Sequence, residues 1–172
     1  FEKATENYLL QLEADPDDYD VVKTRLSFML RYDIDGSVTD EMRYALLNKT
    51  QNNPDNEMFA ELLVWFALQM KDYEIALNQE IALDRRFDDR EYDIIHLARI
   101  ARDNEQYEIA INAYDYLIKK SKEGAYYPEA VVGITEVQYV KSEIENDSDH
   151  DFYLDIEKRI ENECLELGIN DK

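Results

Sequence analysis

Apolar residues recur along this chain at the spacing of one helix face, three and four residues apart, and not at the two-residue spacing of a half-buried strand. The stretch YDIIHLARIAR at residues 92–102 shows the pattern: Leu97 and Ala101 share the side expected to face a core, with charged residues interspersed. No run alternates β-branched and polar residues strongly. The nearest, VVGITEV at 131–137, lies inside a longer helix-compatible stretch. Gly numbers 4 and Pro 3 in 172 residues, too few to supply the turns of a sandwich or barrel. Pro16, Pro54 and Pro128 fall at or near expected helix boundaries. Ser37 with Asp40, Asp88 with Glu91, and Ser148 with Asp151 have capping-box or near-capping-box spacing. The fold class expected is all-α.

The chain also repeats itself. DYEIALNQEIALD at 72–84 returns as QYEIAINAYDYLI at 106–118, so that Tyr73 maps to Tyr107, Ala76 to Ala110, Asn78 to Asn112 and Leu83 to Leu117. Upstream, Leu63 pairs with Leu97 and Ala67 with Ala101 at the same offset. A chance four-residue match rarely extends over two helices in constant register. Two short helices cannot bury their apolar faces in isolation, and stacking each pair on the next makes one continuous core.

The offset is a period of about 34 residues, that of the tetratricopeptide repeat. Residues 57–90 and 91–124 resemble two such repeats. The second carries the family's second-helix pattern in Tyr107, Ala110, Tyr114 and Leu117; the first has Tyr73, Ala76 and Leu83, with Glu80 where the aromatic belongs. Phe1, Ala4 and Tyr8 match the same pattern, so residues 1–18 read as a partial repeat closed near Pro16. Residues 19–56 read as a degenerate repeat with an insertion around YDIDGS. Residues 125–172 read as a long helical pair, with Gly133 at a small-residue position and a second helix at roughly 149–167. The resemblance implies a right-handed α-solenoid over 1–172, similar to bacterial members of the family. It also implies a piece of a longer protein that starts within a repeat, whose opening helix is left able to pair with a second copy.

Charge and composition narrow the function. With 40 Asp plus Glu against 19 Lys plus Arg, the net charge is −21, which repels nucleic acid and anionic membranes. No window reaches the length of an apolar span. One cysteine, Cys164, excludes an internal disulfide framework or a Cys-rich zinc site, and no cofactor is expected. His96 reads as a partly buried or inter-helix histidine and His150 as a capping or solvated one. In the DIDG run at 33–36, a calcium-loop register would put Arg31 and Met42 at the two key carboxylate positions, so a turn is expected there. No constellation for an enzyme emerges.

Solenoids of this type bind along the first helix of each repeat. By register the resemblance assigns that surface to Met58, Glu61, Trp65, Leu68 and Gln69, then to Tyr92, Ile95, Arg99, Arg102 and Asp103. The last unit adds Tyr127, Ala130, Ile134 and Val137. Trp65 beside arginine suits a protein–protein hot spot; the alternatives are that Trp65 packs on a neighbouring helix and that Arg99 and Arg102 pair with carboxylates. The Lys and Asn set with which related domains grip a chaperone's C-terminal carboxylate is absent: the matching positions hold Glu61, Trp65, Ile95 and Arg99. The expected function is therefore a non-catalytic scaffold for a peptide or partner protein, favouring basic segments. The alternative is a structural or regulatory repeat domain that packs within a larger enzyme, transport or envelope protein. The compartment stays open between cytoplasm and bacterial envelope. If Tyr107 is fully packed, Tyr107→Ala should cost about 3–5 kcal/mol in a thermal melt.

Overall fold

The computed structural model of the chain describes residues 2–145 and, beyond them, residues 154, 158, 161 and 162. Every regular element among the residues 2–145 is helical: α1 (Glu2–Ala14), a 3-10 turn (Pro16–Asp18), α2 (Tyr19–Arg31), α3 (Ser37–Asn52), α4 (Glu57–Gln69), α5 (Tyr73–Phe87), α6 (Glu91–Asp103), α7 (Tyr107–Lys120) and α8 (Tyr127–Glu145). The second helix expected at 149–167 falls almost wholly outside the described residues, as do Ser148, His150 and Cys164.

Local chemistry sets the helix starts. Asn56 caps α4 by accepting the Met58 N–H at 3.1 Å, satisfying one of the orphan donors of a first turn. The expected cap at Ser37 is displaced. Gly36, with φ of +80°, turns the chain, and Ser37 is already helical. Asp33 accepts the N–H groups of Val38 (3.3 Å) and Thr39 (2.8 Å) and the Thr39 hydroxyl (2.6 Å), while Asp35 accepts the N–H and hydroxyl of Ser37. The Thr39 hydroxyl, ahead of the backbone donors, holds the Asp33 carboxyl below its ordinary pKa. The two aspartates of the DIDG run are thus helix-capping groups. Asp88 likewise does not cap α6: it takes a left-handed φ of +57°, and the Arg90 N–H is donated to Asp84 at 3.0 Å.

Two helix reversals are alike in detail. After α4, Asp72 N–H donates to the Ala67 carbonyl at 2.8 Å, with Lys71 left-handed at φ +56°. After α6, Gln106 N–H donates to the Ala101 carbonyl at 2.8 Å, with Glu105 at φ +61°. These are the bonds with which a left-handed residue closes a helix C-terminus. They stand one sequence period apart, as do the helix starts at Glu57 and Glu91, and at Tyr73 and Tyr107.

The chain divides into two compact units, residues 1–83 and 84–172. In the first, α1 packs on α2 and α3, and α3 on α4. Its core joins Leu9 and Leu12 to Val22, Leu26, Val38, Met42 and Leu46, then to Phe59, Leu62, Leu63 and Phe66. The degenerate stretch 19–56 therefore contributes fully to the core. In the second unit α6 packs on α7 and α7 on α8. Its core includes Ile94, Ile95, Leu97, Ala98 and Ala101 with Ala110, Ala113, Tyr114 and Leu117.

Repeat-related Ala67, Ala76, Ala101 and Ala110 are all buried, as close helix approach requires. Tyr107 is only half-buried, whereas its repeat counterpart Tyr73 is buried, so Tyr107→Ala should cost less than a fully packed ring would. The packed aromatic is Tyr114, 1% exposed, and burial raises its hydroxyl pKa. A Cβ on Gly133 would stand 2.5 Å from the Tyr114 ring, so α8 meets α7 at a place only glycine fits.

Gly133→Ala should therefore destabilise by about 1–3 kcal/mol through overpacking, despite alanine's better helix propensity. Glu105→Gly should stabilise by up to about 1 kcal/mol by relieving left-handed strain, and Glu105→Val should destabilise. Chemical denaturation of the three variants checks both signs.

Candidate interaction surface

The sequence-assigned residues separate by burial. On α4, Met58, Glu61, Trp65 and Leu68 are half-buried and Gln69 is exposed. Met58 and Trp65 pack against the core of the first unit, and the Lys23 ammonium of α2 lies 5.9 Å from the Trp65 ring centroid. Trp65 therefore has one edge in the core and a cation near its face.

On α6, Tyr92 is 57% exposed, while Arg99 and Arg102 are half-buried and Asp103 is exposed. Ile95 is fully buried and belongs to the core, because it lies beside Ile94 on the inner side of the helix. His96 proves exposed, contrary to the sequence expectation. It stacks on Tyr92 with centroids 6.2 Å apart and planes 7° off parallel, and Tyr92 also tilts against Tyr126 at 6.3 Å. Tyr92, His96, Arg99 and Asp103 follow the i, i+4, i+7, i+11 stripe of one helix face.

On α8 the assigned register lands on the wrong side. Tyr127, Ala130, Ile134 and Val137 are buried, because they pack in the second unit's core around the contact of Gly133 with Tyr114. The exposed positions are Pro128, Glu129, Val132, Glu136, Tyr139, Val140, Glu143 and Ile144. In the first unit, Phe28, Tyr32 and Ile34 are exposed, with the Phe28 and Tyr32 rings 4.7 Å apart. The exposed side of α1 carries Glu6, Asn7, Leu10, Glu13 and Ala14, offering one large apolar side chain. Beside it, the groove between α1 and α3 measures about 350 Å³ and is lined by Leu9, Leu10, Tyr44, Ala45 and Asn48 among others.

The arginines of α6 are engaged. Arg99 donates to both oxygens of Glu129 at 2.5 and 2.6 Å. The pairing raises the Arg99 pKa and lowers that of Glu129. Arg102 meets Asp103 at 3.2 Å and Glu136 at 3.4 Å. These groups are substantially exposed, so each pair contributes at most about 1 kcal/mol. Their effect is to tie α6 to α8 and to leave little free positive charge for an incoming carboxylate.

The densest titratable cluster lies elsewhere. The Asp84 side chain, 1% exposed, accepts from Lys120 Nζ at 2.7 and 2.8 Å, from Tyr116 Oη at 2.8 Å and from the Arg90 N–H. Lys120 also meets Asp88 (2.7 Å) and Glu91 (3.2 Å). Burial opposes ionisation of Asp84, yet the donors outweigh it and its pKa falls. Burial likewise opposes the Lys120 charge, and the three carboxylates outweigh it to raise that pKa. Each Asp84 oxygen is engaged, and the cluster fixes the 88–90 turn to the end of α7. Among the described residues no group of three or more His, Cys, Asp or Glu could hold a metal ion, and no helix is long and apolar enough to cross a membrane.

Comparison with family models, curated proteins and solved structures finds no match. The family resemblance accordingly rests on the repeated residues and turns themselves.

Because its folded pKa is depressed, Asp84 contributes stability above about pH 4, the unfolded value, and loses it as pH falls through the folded pKa. Asp84→Asn should cost about 1–3 kcal/mol at pH 7. Its stability should then decline less steeply than wild type between about pH 4 and pH 2, measured by urea unfolding at each pH.

Proposed function

We propose that the chain is a non-catalytic, tetratricopeptide-like right-handed α-solenoid that binds a peptide or partner protein. The observation carrying this reading is the pair of equivalent helix reversals at Lys71 and Glu105, each framed by helices starting at matching positions of the repeat. A stack of such units presents surface and holds few of the enclosed polar pockets that chemistry needs. The exposed aromatic residues supply the recognition groups: Tyr92 with His96 on α6, and Phe28 on α2 with Tyr32 just past its end. Aromatic side chains rigidly held on helices are the usual anchors of protein interfaces. The net charge of −21 favours partners with basic segments and speeds their approach at low salt.

The test is capture from a lysate of the source organism on three baits: wild type, Tyr92→Ala/His96→Ala and Phe28→Ala/Tyr32→Ala, at ~50 and ~300 mM salt. A protein retained by wild type and lost from one variant is expected, since all four side chains are exposed or nearly so and their loss should leave the fold intact. Identical captures on all three baits would take the binding surface off these four side chains, whereas no capture at all would contradict a binding scaffold and favour a repeat domain that packs within its own parent chain.

A further inference from the structure

Helix α8 leaves four large apolar side chains in solvent: Val132 (55% exposed), Tyr139 (45%), Val140 (39%) and Ile144 (64%). On the same side lie Glu129, Glu136 and Glu143, one carboxylate every seven residues. At 100° per residue, Val132 and Tyr139 fall on one flank of that row, and Val140 and Ile144 on the other. From Val132 to Ile144 the stripe runs about 18 Å along the axis. The three carboxylates are unequal. Glu129 is held by both nitrogens of Arg99. Glu136 has Arg102 at 3.4 Å and keeps 58% of its side chain exposed, and Glu143 accepts from a neutral donor, the Tyr139 hydroxyl at 2.8 Å.

We propose that this face of α8 docks a basic amphipathic helix of a partner, a reading that rests on the scaffold function above. The partner presents Lys or Arg about seven residues apart to Glu136 and Glu143, and apolar side chains on both flanks cover Val132 with Tyr139 and Val140 with Ile144. The arrangement inverts the coiled-coil seam, where apolar positions are central and charges flank them: here each charge pair lies between apolar contacts and selects the partner by the sign of its charge. A helical partner fits better than an extended one. A helix face offers no unpaired backbone groups, so an extended strand laid on it would leave its own N–H and C=O groups without partners, whereas a helix satisfies them internally. An acidic segment would be repelled by the carboxylate row and by the net charge of −21.

The experiment uses the whole chain and labelled synthetic helices of about 15 residues: one with Lys at every seventh position between apolar flanks, its counterpart with Glu for Lys, and a scramble of the Lys helix. Anisotropy at ~50 mM salt should show the Lys helix binding at least about tenfold more tightly than the other two. Val140→Glu/Ile144→Glu should lose about tenfold while melting as wild type does, because both side chains are exposed. Glu136→Lys/Glu143→Lys should shift the preference towards the Glu helix. Equal binding of the Lys helix and its scramble to all variants would mean bulk charge attraction and overturn the site. If no helix binds while the capture experiment yields a partner, this proposal fails and the scaffold reading stands. A dimer abolished by Ile144→Glu, or binding seen only after removal of residues 146–172, would assign the face to another occupant and overturn it equally.

Discussion

The helix reversals at Lys71 and Glu105 are the constraint on which the remaining architecture depends. Each joins two amphipathic helices through a three-residue link, so the second helix must return along the first. A left-handed residue makes that link possible by letting the next N–H reach back to a carbonyl of the last turn, Ala67 in one case and Ala101 in the other. For residues other than glycine this conformation costs about 1–2 kcal/mol. It persists because the returning helix buries an apolar face, on which Ala76 or Ala110 is fully covered. Burial of a single large aliphatic side chain recovers about 1.5–3 kcal/mol, so a few such contacts outweigh the strain.

Charge acts as a second constraint. In a chain of −21, the basic side chains of the second unit are placed where carboxylates would otherwise repel one another across helices. Lys120 gathers Asp84, Asp88 and Glu91. Arg99 and Arg102 bridge α6 to α8, and Lys141 meets Glu108 across α7 and α8. Only the Asp84 contact is deeply buried, so it alone has a large energetic consequence. The exposed pairs mainly set register between helices and remove free cations from the surface.

Much of this is legible in the residues. The self-match places the paired helices of 57–120 and marks Leu63, Ala67, Leu97 and Ala101 as core, because a strict period transfers register from one unit to the next. Where the period is lost, so is the register. In α8, YPEAVVGITEVQYV places apolar residues on both flanks of a single carboxylate row, so the apolar pattern alone does not distinguish the face that meets α7 from the one in solvent. Register alone sends Tyr127, Ile134 and Val137 outward, whereas they pack inward. Ile94 and Ile95 pose the same ambiguity, and the apolar neighbours of His96 point it inward although it is exposed. The capping of α3 is hidden for another reason: Asp33 reaches its donors only because Gly36 is left-handed, a conformation that capping-box spacing does not encode.

The repeat architecture stands on the equivalence of units one period apart, and one deletion tests it. Removing residues 73–106 joins Asp72 to Tyr107, so the first reversal would feed directly into the helix that follows the second. Equivalent units predict a shortened protein that remains helical by circular dichroism and unfolds in a single cooperative transition. A product that is helical but melts without cooperativity, or that fails to fold, would show that the two reversals are not interchangeable and would contradict the repeat architecture.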